Sequence, residues 1–369
     1  MLNNLKLGTN KSETKATPTD NSNIQMPKPQ RQKLPIRIGL ILFLFLIFVS
    51  PFIVAEVIFK YAGVEGYKEV VKSFVFPDAS AIKSENGRVN ILILGIGGKG
   101  HEGAELTDTM IFTSISTINR SVTLVSIPRD TWIPEIRAKI NSAYYWGNLQ
   151  PERGGGLYFA KQITSKVTGQ PVDYALVVDF SGFQDIIDTI GGIGVVIDNS
   201  FTDMKYPVEG RENDTCGGDI TFACRYKTIS FEKGTIHMNG ATALEFARSR
   251  EGDNGENTDF ARSVRQQKII SAVSTKVLSF GTIINPVKDY KILLAVKASV
   301  ETDLTPTAIG ILAKNALSSR KNINSQVLPP ELLTSPPVTK TYDKQYVLIP
   351  KLGNGQWEEI NKWFSGVLN

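Results

Sequence analysis

"SVTLVSIPRDTWIPEI" runs from Ser121 to Ile136, and its reading decides the fold. The first half alternates and is rich in Val, Leu and Ile, which predicts a strand. Pro128 ends that strand, and Arg129 and Asp130 follow at once. An opposite-charge pair at a strand tip admits two readings. One is a turn with a surface ion pair, worth roughly 0–1 kcal/mol. The other is a loop presenting polar groups to a ligand, as the ends of sheet strands do. Working outward, "VNILILGI", "TMIFTSIST", "VDYALVVDF" and "GIGVVID" read as further strands. "GGGLYFAKQITSKVTG" has helical spacing, with Leu157, Ala160, Ile163 and Val167 on one side. "SGFQDIIDTIGG" reads as a short helix with a glycine stop, and "NGATALEFARSR" and "DFARSVRQQKIISAVSTKVLS" as helices. Residues 281–330 look helical, a Pro-rich and then strand-like stretch follows, and "GQWEEINKWFSGVL" reads as a terminal helix. Strands mixed with helices predict an α/β fold, a mixed α-β-α layered sandwich. No internal repeat is visible.

Charge is distributed unevenly. The 369 residues carry 41 Lys and Arg against 36 Asp and Glu, a net charge of +5. Residues 1–37 hold seven of the cations (Lys6 to Arg37) and two of the acids (Glu13 and Asp20), so that arm alone accounts for the excess and the rest is neutral. A neutral body argues against nucleic-acid binding, which draws its affinity from phosphate neutralisation. From Ile38 to Ala55 no residue is charged, and Val57 to Phe59 extend the apolar stretch past Glu56. That length suits a single transmembrane helix over 38–59. The basic arm 1–37, rich in Pro, Ser, Thr, Asn and Gln, reads as a disordered cytoplasmic segment. A juxtamembrane stretch, 60–87, leads to an extracytoplasmic domain over 88–280, and 281–369 reads as a C-terminal extension. Cys216 and Cys224 bracket "CGGDITFAC". An oxidising compartment permits a disulfide there, with two free thiols as the alternative. With His101 and His237 as the only histidines, the ligands of a zinc site are lacking.

Three motifs carry chemistry. "GIGGKG" matches G-x-G-x-x-G at Gly95, Gly97 and Gly100, but the chain runs into another strand where a dinucleotide site needs a helix. The glycines read instead as a loop, one able to line a site. "LTDTM" sets Asp108 at the entry to a strand. "FARSREGDNGENTDFARSVRQQ" places Arg248 and Arg250 before a Gly/Asn-rich loop and Asp259, Arg262, Arg265 and Gln266 after it. Arg262 and Gln266 share a helix face, and Arg265 flanks it. Several guanidiniums across one loop form an anion clamp, because each fork binds phosphate oxygens bidentately and stays charged at any pH. A solvated charged helix pair is the plainer alternative.

"TDTMIFTSIS", "VSIPRDTWI", "KINSAYYWG", "VVDFSGFQDIIDTIGGI" and "FARSR…DFARSVRQQ" occur in the order seen in the LytR–CpsA–Psr family, which this chain resembles over roughly residues 88–275. The resemblance implies a membrane-anchored phosphotransferase of the bacterial envelope. Such an enzyme moves a glycopolymer, such as a teichoic acid or capsular polysaccharide, from a polyprenyl pyrophosphate carrier to peptidoglycan, assisted by Mg2+ or Mn2+. It implies that Asp108 binds the metal, that Arg129 contacts the pyrophosphate beside Asp130, and that Arg248 and Arg250 clamp it. Asp259 and Arg262 complete the wall, with Gln266 and Arg265 toward substrate. Tyr144, Tyr145 and Trp146 of "KINSAYYWG" stack on sugar or belong to the core. Phe183, Ile186, Ile187 and Ile190 face an isoprenoid slot or pack ordinarily. One departure stands out. Many relatives carry an Asp just after the first strand, where this chain reads "GIGGKGHEG", leaving Glu102 and Glu105 as weak substitutes. Asp130 or Asp259 is the candidate base. The competing functions are polyprenyl pyrophosphate hydrolysis, a membrane-bound transcriptional attenuator, and a non-catalytic envelope scaffold. About 37 cytoplasmic residues without a helix-turn-helix pattern speak against the attenuator.

Overall fold

The computed structural model describes residues 66–101, 103–277 and 286–368. The basic arm, the apolar segment 38–59 and Glu102 lie outside the described residues. Among the described residues no helix is long and apolar enough to cross a membrane.

A six-stranded mixed sheet organises the chain. Its spatial order is Val300–Thr302, Tyr174–Asp179, Arg88–Ile96, Thr107–Ser116, Val122–Ser126 and Ile323–Val327. The three middle strands Arg88–Ile96, Thr107–Ser116 and Val122–Ser126 form an antiparallel meander. Tyr174–Asp179 joins Arg88–Ile96 in parallel, and Ile323–Val327 joins Val122–Ser126 in parallel. Parallel neighbours need a crossover, and the helix Gly155–Thr168 lies in the first of these connections.

Period-2 alternation sends the strand side chains to two cores, which is why apolar residues occupy both faces of these strands. Leu92, Leu94, Met110, Phe112 and Val125 face one side, where Ala160, Ile163 and Val167 of Gly155–Thr168 and Ile360 and Phe364 of Glu358–Leu368 cover them. Val89, Ile91, Ile111, Ile115, Val122 and Leu124 face the other, under Ala308, Ile311 and Leu312 of Pro306–Ser319. Each fully buried Leu or Phe contributes about 1.5–3 kcal/mol of transfer free energy. The result is the expected α-β-α layering. A third core, built on Ile187, Ile193, Val195, Phe201, Phe231 and Phe246, joins the helices Phe180–Thr189, Gly240–Arg248 and Asp259–Val277 to two small antiparallel sheets.

The boundary read at residue 280 is not a physical one. Val300–Thr302 and Ile323–Val327 are the two edge strands of the central sheet, so the described residues that carry them, 286–368, are part of the domain and not an extension. A three-residue strand carries too little periodicity to be read beforehand.

Candidate active site

The strand Val122–Ser126 delivers Arg129 on a short, anchored turn. Pro128 O accepts from Thr131 N (3.2 Å) and Thr131 Oγ1 (2.7 Å). Trp132 and Ile133, both buried, fix the chain directly beyond. Arg129 Nη1 donates to Asp108, which sits on the neighbouring strand Thr107–Ser116. Arg129 Nε is buried without a hydrogen-bond acceptor, although Asp130 Oδ2 lies 3.5 Å away. Asp130 Oδ1 in turn accepts from Lys139 Nζ at 2.6 Å, and its side chain is only 15% exposed. This is a partly buried network, which removes the surface-ion-pair reading of the strand tip.

A second arm comes from the helix Gly240–Arg248. Asn239 caps its N-terminus by accepting from Thr242 N at 2.9 Å. At its other end Asp203, 1% exposed, pins the turn that follows. Its Oδ2 accepts from Ser249 Oγ (2.7 Å), Arg250 N (3.1 Å) and Glu251 N (3.1 Å), and its Oδ1 from Lys205 N (2.9 Å). Burial pushes the Asp203 carboxyl up, but these donors outweigh burial and hold it below the ordinary value. Arg250 thereby reaches the same oxygen of Asp108 as Arg129 does, Nη2 to Oδ1 at 3.5 Å. Arg248 lies 4.0 Å above the Phe180 ring and has no carboxylate partner among the described residues. The helix Asp259–Val277 supplies Arg262, paired with Asp259 at 2.6 Å, and Gln266 one turn on.

Burial, chiefly, pushes the Arg262 guanidinium down to about 10, with Arg250 and Arg129 adding repulsion. The Arg250 guanidinium is lowered by burial and then by Arg129 and Arg248. Arg129 and Arg250 thus share Asp108, Arg262 pairs with Asp259, and Asp130 lies beside Arg129, while Arg248 rests on the Phe180 ring. Cations held against their own repulsion are a site prepared for an anion.

These groups form one wall of a cavity of about 680 Å3. Asp108, Arg129, Arg248, Arg250, Arg262 and Gln266 line its polar part, and Ile93, Val178, Phe183, Leu244, Ile269 and Ile270 its apolar part. Ile93 projects from the sheet face that carries the second core, so the apolar part lies between that face and the helices. A smaller cavity of about 440 Å3 shares Asp108, Arg129, Arg262 and Gln266 with the first.

Several expected residues sit elsewhere. Arg265 is 2% exposed and lines neither cavity. Its Nε donates to Phe246 O (3.0 Å), Nη2 to Ser249 O (2.6 Å), and Nη1 to Glu256 O (2.9 Å) and the Glu256 carboxylate. It ties down the carbonyls at the end of Gly240–Arg248, so its expected substrate contact is corrected to a positioning role. Tyr144 is buried in the first core, and its hydroxyl donates to Glu301 Oε2 at 2.5 Å. Burial raises that phenol to about 12, with Glu301 adding to the shift. It is a core residue and does not stack on sugar. Tyr145 and Trp146 are exposed but line neither cavity. Ile187 and Ile190 are core, and of the four apolar residues proposed for a slot only Phe183 lines it. Asp130 lines the smaller cavity alone. Glu105 accepts from Asn148 Nδ2 at 3.3 Å and lines neither cavity. Gly95 and Gly103 of the glycine loop do line the larger one. Cys216 and Cys224 are joined in a disulfide, their Cα atoms 5.5 Å apart. Asp214 stands beside them, but bonded sulfurs are not metal ligands. Asp203, Phe180 and Lys139 went unread in the sequence, because their partners are brought to them by the fold.

An arginine-rich wall at the end of an apolar slot, on a layered α/β sheet, has the chemistry to receive an anionic amphiphile. The model of the LytR_cpsA_psr family matches residues 60–356, and the chain belongs to this family. A polyisoprenyl-teichoic acid–peptidoglycan teichoic acid transferase, TagU, of Bacillus cereus is 29% identical over 251 residues, 67% of this chain and 70% of that protein. TagU of Bacillus subtilis is 29% identical over 244 residues, 65% of this chain and 67% of that one. Among solved structures, Bacillus subtilis TagV matches with a TM-score of 0.53 and 26% identity, covering 77% of this chain and 98% of that chain. Lin1025 of Listeria innocua matches with a TM-score of 0.53 and 26% identity, covering 77% and 100%.

Proposed function

We propose that this protein is a phosphotransferase that moves a glycopolymer from a polyprenyl pyrophosphate carrier to a peptidoglycan hydroxyl at the extracytoplasmic face of the membrane. One observation carries the reading: four guanidiniums, those of Arg129, Arg248, Arg250 and Arg262, line one cavity together with an apolar slot. A pyrophosphate diester bears two negative charges and, in this carrier, an isoprenoid chain. The cluster fits the first and the slot the second. The names of the TagU relatives agree with this class of donor.

The chemistry follows from the donors. Arg129, Arg248, Arg250 and Arg262 bind the pyrophosphate and stabilise charge as it moves toward the leaving phosphate. The acceptor oxygen forms a bond to the glycan-bearing phosphorus. The bridging P–O bond breaks, and its electron pair leaves with polyprenyl phosphate. The hydroxyl proton passes to the Asp259 carboxylate, 64% exposed at its side chain, and from there to water. Asp130 is less suited, because one oxygen is held by Lys139 and the other faces Arg129.

The family's divalent metal is compatible with the residues present. Asp108 borders both cavities, and among the described residues it belongs to no group of three or more metal-ligating side chains. Mg2+ accepts one protein carboxylate when substrate phosphates and waters complete its shell. Bound by Asp108, it would neutralise pyrophosphate charge. The same carboxylate holds Arg129 and Arg250 in place.

Binding tests this reading. Intrinsic fluorescence titration of the full chain in detergent should show polyprenyl pyrophosphate binding far more tightly than inorganic pyrophosphate or polyprenol. Equal affinity for inorganic pyrophosphate would remove the slot from the account.

A further inference from the structure

We infer that the smaller cavity is the acceptor site, taking an uncharged sugar of the glycan that receives the polymer, with Tyr346 and Phe260 as the rings on which it lies. The inference rests on the transferase reading above and adds the second substrate to it.

Four residues, Asp108, Arg129, Arg262 and Gln266, belong to both cavities, so the two spaces meet at the pyrophosphate wall. The larger space has the apolar slot for the carrier and thus for the leaving polyprenyl phosphate. In phosphoryl transfer the attacking and leaving oxygens are roughly in line through phosphorus. An acceptor must therefore reach the wall from a space other than the one holding the leaving group, and the smaller cavity is that space.

Its lining suits a neutral sugar. The cations at the wall are the shared ones, and no other Lys or Arg lines the cavity. Thr258, Ser263, Thr334 and Ser335 offer hydroxyls, and Asp259, which borders this cavity and not the larger one, is placed to take the acceptor proton. Phe260 and Tyr346 are 53% and 52% exposed at its border. Exposed rings beside polar groups present flat apolar faces to a sugar's C–H face while hydroxyls read its edge. The two rings come from distant parts of the chain, the start of Asp259–Val277 and the segment before Ile349–Pro350. The segment after residue 330 thereby gains a role in substrate selection.

The test uses the full chain in detergent, with a polyprenyl-pyrophosphate-linked glycan as donor and soluble peptidoglycan oligomers as acceptor. Steady-state transfer is measured with each substrate varied in turn, for wild type, Tyr346→Ala, Phe260→Ala and Ser335→Trp. Each ring deletion should raise the acceptor KM about tenfold, the size of one lost ring contact, with the donor KM unchanged. Ser335→Trp fills the cavity from an exposed position and should give the same acceptor defect. It decides the matter should either ring variant fail to fold by thermal melting. A rise in donor KM with the acceptor KM unchanged would assign the cavity to the donor's own glycan and overturn the inference. So would variants that all match wild type. Absence of transfer by wild type is a separate result, which defeats the transferase reading itself.

Discussion

Replacing Asp203 with Asn probes how the arginine wall is built. In the wild type one carboxylate oxygen collects three donors, from Ser249, Arg250 and Glu251, and the other accepts from Lys205 N. The amide oxygen of Asn can serve the first set, but its NH2 then faces the Lys205 N–H, donor against donor. One charge-assisted bond is lost and one backbone donor is left without an acceptor. Such changes cost about 1.5–3 and about 1–3 kcal/mol respectively, and because they overlap we expect about 2–4 kcal/mol in total. The pH dependence follows from the depressed carboxyl. A group whose folded pKa lies below its unfolded value stabilises the fold above that unfolded value, and the stabilisation is lost as pH falls through the folded pKa. The unfolded value is near 3.8. Urea unfolding at pH 7 should show the full difference between wild type and variant, and the gap should close as pH falls below about 4. Donor affinity should fall less, because Arg250 N keeps an acceptor and exchanges only a carboxylate for a neutral amide oxygen. A variant as stable as wild type at pH 7, or a gap that persists unchanged in acid, would refute this account of the turn.

Arg129→Lys should lower transfer roughly 10- to 150-fold with the melting temperature nearly unchanged, since an ammonium cannot copy the bidentate fork; full activity in the Lys variant would return Arg129 to a structural pair. Arg265→Met should do the opposite and cost about 3–5 kcal/mol in denaturant unfolding, because Glu256 is left as a partly buried carboxylate without its partner; a stable variant with a selective donor defect would contradict its positioning role. Tyr144→Phe should cost about 1 kcal/mol through the lost bond to Glu301 and leave the acceptor KM untouched, whereas a changed acceptor KM would put Tyr144 back at the sugar. Chelation should suppress transfer and added Mg2+ or Mn2+ restore it, and activity that survives thorough chelation would exclude the metal at Asp108.

Legibility in the sequence followed the locality of each cause. Strands buried on both faces, such as Arg88–Ile96 with Leu92 and Leu94 on one side and Val89 and Ile91 on the other, are rich in apolar residues at adjacent positions and could be read directly. Arg129 was readable because Pro128 marks the strand end beside it. Arg262 and Arg265 were not separable. They lie three residues apart on one helix, and what divides them is tertiary: the Phe246 and Ser249 carbonyls claim Arg265, while the cavity receives Arg262. Asp203 was invisible for the same reason, since three of its four donors stand about 46–48 residues further along the chain. The edge strand Val300–Thr302 is too short for any period to show. Tyr144 could be sugar platform or core on pattern alone, and only the Glu301 contact from that edge strand decides it.

The mass balance of one reaction separates glycopolymer transfer from hydrolysis. The full chain in detergent is incubated with a polyprenyl-pyrophosphate-linked glycan and peptidoglycan oligomers, and both products are quantified by mass spectrometry. The account predicts one polyprenyl monophosphate released for each glycan joined to the acceptor through a phosphodiester. Monophosphate released with the glycan phosphate free in solution would instead make the protein a hydrolase and contradict the account.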